Sequence, residues 1–341
     1  MKGRGVDNNP ANRFDRLSLE WHVPRPDGEW TQYLVDSSKS IIATNSSPDV
    51  AFDASVNPYR GCEHGCSYCY ARNSHEFLGF SAGLDFETKI LVKEDAAELL
   101  RHELASRRWI PKPLGMSGVT DPYQPVERKL KITRRCLAVL AESRNPVMLI
   151  TKNRLVTRDI DHLSELACHQ AISVAVSVPT LDADLARIME PRASHPRDRF
   201  KAIDELSSAG IPTSVMIAPT IPGLTEHEIP AILDFAATAG ASRANYILLK
   251  LPGAVEEIFV DWLGQHFPDR KSKVLSRIRQ LRQGQLNQSD FATRGRGRGQ
   301  LARDIHEFFE INRRRVGLKN GVPTLSVASF RPPETEQGRL F

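Results

Sequence analysis

Residues 57–72 read NPYRGCEHGCSYCYAR. Within them Cys62, Cys66 and Cys69 stand in a C-x3-C-x2-C spacing, among glycines and aromatic residues. A loop can fold three thiolates toward one point at this spacing. A regular strand cannot, because its successive side chains alternate between faces. Three thiolates suit a soft metal, either an iron–sulfur cluster or zinc. Zinc at a structural site takes four protein ligands, and His64 or His75 is the available fourth. A four-iron cluster on three cysteines instead leaves one iron open to a substrate or cofactor.

Outward from this loop the chain alternates between strand and helix signals. FDASVN (52–57) runs into the loop as a first strand, and residues 92–107 show apolar spacing of three and four, the mark of an amphipathic helix. Strands are predicted over 113–119, 146–151, 171–178, 212–219 and 244–250. Helices are predicted between them over 126–143, 158–169, 181–190, 198–210, 227–240 and 255–267. Gly210 and Gly240 are placed as C-terminal caps. Six strand–helix units predict parallel strands joined by right-handed crossovers, in an open barrel or a doubly wound sheet. Residues 1–51 form a polar N-terminal extension in which Pro24, Pro26 and Pro48 break regular structure, while Trp21, Trp30 and Tyr33 lay it against the body. The core spans 52–270. Residues 271–341 form a basic extension: a helix over 271–283, a flexible RGRGRG run (294–299), a helix over 301–318 and a disordered end.

In parallel α/β barrels the functional residues lie at the C-terminal ends of strands. Here those positions hold the cysteine loop, then Thr120 and Asp121, then Lys152, then Ser177. Taken singly, each is a turn residue or a solvated charge. Together on one rim beside three cysteines, they mark an active site. Cys136 and Cys168 fall on helix patterns and read as small buried apolar residues. Glu127 reads as a helix N-terminal carboxylate.

The charge of +5 is mild, but arginines gather at both ends, which leaves nucleic acid open as a partner. Five cysteines, three of them in one loop, make a poor disulfide framework and fit a reducing cytoplasm. No run of about 18 apolar residues predicts a membrane span, and the first residues carry no secretory pattern.

The series NPYRGCEHGCSYCYAR, GVTDPYQPVE, ITKN, SVPT, EPRASHPRDRFKAIDELSSAGIP and APTIPGLTEHE resembles, in order, the radical S-adenosylmethionine (SAM) proteins related to spore photoproduct lyase. The resemblance covers roughly 52–270. It implies a partial (β/α)6 TIM-like barrel with a [4Fe–4S] cluster on Cys62, Cys66 and Cys69. It implies that SAM binds the open iron and is cleaved to a 5′-deoxyadenosyl radical by an electron from a reductant such as flavodoxin or ferredoxin. Tyr68 and Tyr70 would line the SAM site, and Lys152, Ser177 and, more loosely, Thr120 stand where the family contacts SAM. Glu190, Arg192 and Arg199 are further candidates for its ribose or carboxylate, although Arg199 also reads as a helix-surface partner of Asp198 or Glu205. The lyase's hydrogen-donor cysteine has no counterpart in Met116–Asp121. The expected activity is hydrogen-atom abstraction from another substrate. The alternatives are a nucleic-acid-acting radical enzyme, for repair or modification, and a zinc-stabilised nucleic-acid-binding module.

Overall fold

The computed structural model describes residues 3–14, 30–50, 52–291 and 293–334. Six parallel strands form the body: β1 (Ala54–Val56), β2 (Leu114–Met116), β3 (Val147–Thr151), β4 (Ile172–Ser177), β5 (Thr213–Thr220) and β6 (Arg243–Leu248). They lie side by side in chain order, with Ile42–Thr44 antiparallel along β1. An order without a reversal is that of a barrel wall and not of a doubly wound sheet, whose order switches in the middle. β4 is buried along its whole length, as expected for a parallel strand covered on both faces.

The predicted elements stand with shifted ends. The helix expected over 126–143 is broken at Lys131, which adopts a left-handed φ of 55° between Glu127–Leu130 and Ile132–Ser143. Glu127 spans that break: its carboxylate accepts the Thr133 and Arg134 amides and pairs with Arg158. It is a buried hub and not a simple helix-start charge. The N-terminal extension is not free of regular structure either. Gln32–Val35 pairs in parallel with Lys89–Val92, a strand that the helical reading of 92–107 had partly hidden. Trp30 is exposed and Tyr33 half exposed, with its hydroxyl donating to Glu63. Trp21, Pro24 and Pro26 lie outside the described residues, as does the end beyond 334.

The cysteine loop is braced from behind. Arg72 is fully buried and donates to the Cys66 carbonyl, to the Ala82 and Gly83 carbonyls and to Glu87. The other carboxylate oxygen of Glu87 accepts the Gly5 amide, 3.0 Å away. A Cβ at Gly5 would lie 1.5 Å from the Gly65 carbonyl oxygen, so the N-terminal arm meets the cysteine loop backbone to backbone, as glycine alone permits. His75 is buried between Phe80 and Phe86, with Nε2 2.9 Å from the Lys89 carbonyl.

Two expectations for the remaining segments are corrected. RGRGRG is anchored at the end of β6: Arg294 pairs with Asp49 and donates to Ser47, and the Gly295 carbonyl accepts the Leu248 amide. Arg296 stacks 4.3 Å above Tyr246. Glycine spacing suggests flexibility only until carboxylates and rings from other segments hold the arginines. Cys168 is exposed, because it ends its helix on the solvent side, whereas Cys136 is buried as expected. The helix Gln300–Arg315 joins the main core through Ala302, Ile305 and Phe309, the last 4.7 Å from the Tyr246 ring. Among the described residues no helix is long and apolar enough to cross a membrane.

Phe309→Ala should lower stability by about 3–5 kcal/mol, the usual cost of deleting a buried aromatic ring. Thermal melting should show one shifted transition; a separate early transition would mean that the C-terminal helix folds apart from the barrel. Burial first, and then nearby Lys89, hold the His75 imidazole down to about 4, from its ordinary 6.5, against the pull of its carbonyl partner. The unfolded chain therefore takes up a proton first as pH falls. Stability should be complete above about pH 6.5 and decline on the order of 3 kcal/mol down to pH 4. His75→Gln, which keeps a donor for the Lys89 carbonyl without titrating there, should flatten denaturant-derived stability across that window.

Candidate active site at the barrel mouth

The ends of β1 to β4 bring the cysteine loop and the rim residues together. Cys62 and Cys66 are buried and Cys69 is partly so. Cys62 packs with Ala71 and Phe86, Cys66 packs with Tyr68, Leu185 and Met189, and Cys69 borders both groups. Burial pushes the Cys66 thiol well up; Glu190 adds to the rise and Lys152 opposes it. Cys69 rises to about 11, first by burial and then by the proximity of Cys62. Thiols held protonated in this way become ligands when a metal replaces the proton.

Glu190 is the centre of the rim. It is buried, with Tyr68 donating to one oxygen and Arg199 paired with the other. Lys152 Nζ lies 3.1 Å from the same carboxylate, 2.8 Å from Ser177 Oγ and 3.1 Å from the Ala218 carbonyl. The ammonium sits 5.5 Å from the Tyr68 ring centroid. Arg199 also donates to the Ser177 and Ser194 carbonyls. Its alternative partner Glu205 pairs with Arg154 instead. Arg199 is therefore an inward cation, because a guanidinium this buried needs a carboxylate beside it. Burial raises Glu190 above the usual carboxylate range against the pull of Arg199. Burial also lowers the Lys152 amine to about 8, while Cys66 draws it back up. Ser177, Lys152, Glu190, Arg199 and Tyr68 thus form one network from residues up to 131 positions apart.

Other expected residues stand outside it. Thr120 donates to the Gly61 carbonyl and accepts from Gln124, tying the cysteine loop to the end of β2. Tyr70 is half exposed, with Lys250 5.6 Å from its ring centroid. Arg192 pairs with Glu63. Asp121 accepts Thr151 Oγ1 and the Lys152 amide, and lies 3.5 Å from His64 Nδ1. The role of Asp121 in aiming Lys152 has a faint sequence signal, its place directly after Thr120. That of Gln124 has none.

Two histidines lie near the cysteine loop. His64 is held between Asp121 and Asn153, and burial, which would lower its pKa, is outweighed by Asp121 and Cys62, which hold it up to about 10. His75 is committed to Lys89. His64 and His75 each keep a buried Nδ1 without a hydrogen-bond partner. Three cysteines facing a cationic and hydroxyl-bearing rim fit a four-iron cluster with one iron open to a small molecule.

The family model described as Radical SAM superfamily matches residues 56–236. An uncharacterised protein of Mycobacterium tuberculosis is 34% identical over 286 residues, covering 82% of each chain. A radical SAM Nalpha-GlyT isomerase of Pseudomonas phage M6 is 26% identical over 241 residues, covering 70% of this chain and 47% of its own. Among solved structures, spore photoproduct lyase complexed with dinucleoside spore photoproduct shares the fold, with a TM-score of 0.60 at 14% identity over 84% of this chain and 81% of that one. The family match runs from the end of β1 through β5 and takes in the cysteine loop: the chain belongs to the radical SAM superfamily, and it is an enzyme of that class.

Proposed function

We propose that Cys62, Cys66 and Cys69 hold a [4Fe–4S] cluster, that SAM binds beside it, and that the enzyme abstracts a hydrogen atom from a substrate presented at the barrel mouth. The observation that carries this reading is the network of Lys152, Ser177, Glu190, Arg199 and Tyr68 on the same wall as the three thiols. When bound, the cluster supplies the electron for cleaving SAM, drawn from a small reductant such as flavodoxin or ferredoxin.

The chain's own groups bind and orient. SAM carries a carboxylate, a ribose diol and a sulfonium, so it needs a cation, hydroxyl-bonding partners and an aromatic face. Lys152 offers the cation, Ser177 and Glu190 the polar contacts, and Tyr68 the ring. Arg199 keeps Glu190 in place and Asp121 aims Lys152. Thr120 positions the loop through the Gly61 carbonyl, and Tyr70 is half exposed beside Lys250. Burial of this rim excludes water from the reacting groups. Met116–Asp121 holds no cysteine, so the reading does not include repair through a cysteine hydrogen donor at that place.

The test is anaerobic reconstitution followed by visible absorption and reductive SAM cleavage. Cys66→Ala should lose both the broad visible absorption and the cleavage, while Cys168→Ala should keep both; a full four-iron cluster in Cys66→Ala would sink the assignment. Lys152→Ala should leave the absorption intact and weaken SAM binding roughly ten- to hundredfold, the worth of a charge-assisted hydrogen bond. Unchanged SAM affinity would remove Lys152 from the cofactor site.

A further inference from the structure

The segment that follows β2 holds the cysteine loop on both sides of its first thiol. Gln124, in that segment, is fully buried. Its Oε1 accepts the Glu63 amide at 2.9 Å. Its Nε2 donates to the Gly61 carbonyl at 3.3 Å and to Thr120 Oγ1 at 3.0 Å. Thr120 Oγ1 donates to the same Gly61 carbonyl at 2.7 Å. One side chain thus grips the backbone one residue before Cys62 and one residue after it. The Cys62 amide between these points donates to the Phe86 carbonyl at 2.9 Å. The Glu63 carboxylate adds a further tie to the same segment, accepting the Val126 amide at 2.7 Å.

The chemistry of the grip is that of glutamine. Its amide carries an acceptor and two donors in one plane. The acceptor here meets an N–H and the donors meet a carbonyl and a hydroxyl, so the orientation of the amide is fixed. An ionised glutamate of the same length has no hydrogen to give, and a methionine fills the space without either function. Gly61 takes a left-handed φ of 81°, where a Cβ would stand 3.0 Å from the Phe86 carbonyl oxygen and from the His75 ring. The chain therefore turns sharply just before Cys62, and the carbonyl at that turn is the one that Thr120 and Gln124 hold. Cys66 and Cys69 are anchored differently: Arg72 donates to the Cys66 carbonyl, which also accepts the Cys69 amide. Of the three thiols, Cys62 is the one whose backbone neighbours are tied to the strand wall. A metal centre needs its ligands held to within about 0.5 Å by partners that are themselves locked, and a set of three thiols has no spare.

We propose that Gln124 is a positioning residue for Cys62: through the backbone on either side, it sets the direction from which that thiol reaches the cluster. Outer partners of this kind tune a metal group as well as hold its ligands. The metal half of this statement rests on the function proposed above, and the grip on the loop does not.

The experiment uses the full-length protein, first metal-free and then reconstituted anaerobically. Hydrogen exchange at the Glu63 amide is measured on the metal-free protein. In Gln124→Met it should be roughly five- to hundredfold faster, the effect of losing a buried hydrogen bond. After reconstitution the same variant should show a shifted midpoint potential and an altered electron paramagnetic resonance line shape of the reduced cluster. Thr120→Val removes one hold on the Gly61 carbonyl and should act in the same direction to a smaller extent. It decides the matter if Gln124→Met does not fold. Tyr123→Phe is the control, because it removes a buried hydrogen bond from the same segment, to Asp159, and leaves every hydrogen bond to the loop in place. It should lower the melting temperature and leave exchange at Glu63, potential and line shape as in the wild type. Unchanged exchange in Gln124→Met, or faster exchange with potential and line shape unmoved, would overturn the proposal. So would an equal change of line shape in Tyr123→Phe. A wild-type protein that takes up no four-iron cluster would refute the function proposed above and with it the metal half of this proposal, while exchange at Glu63 still decides the grip.

Discussion

One buried carboxylate sets the spacing of the whole mouth. Glu190 lies out of water with Tyr68, Lys152 and Arg199 around it. A desolvated charge is tolerable only when opposite charges and hydrogen bonds replace its hydration, and losing one partner leaves the others exposed to the same penalty. Tyr68 belongs to the cysteine loop, Lys152 to the end of β3 and Arg199 to the second helix after β4. All three must therefore close on one point, and the cysteine loop is held at a set distance from the barrel wall.

Around that centre the polar groups act as struts. Arg72 ties the loop backbone to Glu87, and Glu87 ties it to Gly5. Thr120 and Gln124 tie it to β2, and Asp121 links β2 to β3 through Thr151 and the Lys152 amide. Side chains that hold a reactive centre perform best when their own rotamers are locked by such partners. The N-terminal arm therefore belongs to the support of the loop.

The C-terminal extension supports the other side of the mouth. It delivers Phe309 to the core, Arg294 to Asp49 and Arg282 to Leu249.

The sequence by itself determined the alternation of strand and helix, the six units of the barrel, the three thiols and the placement of Lys152 and Ser177 at strand ends. These are local signals: apolar periodicity, cysteine spacing and the position of a residue after its own strand. Tertiary structure decided what no local signal carries. Arg199 reads equally well as a surface partner of Asp198 or Glu205, and only the packing of its helix on the rim turns it toward Glu190. Cys168 has the helical spacing of a buried residue but ends on the exposed side. RGRGRG has the composition of a free loop, yet Asp49 and Tyr246, distant in the chain, hold it down. The physical reason is the same for the arginines: a charged side chain takes its energy from the partner that burial brings to it, and that partner is chosen by the fold and not by its neighbours in sequence.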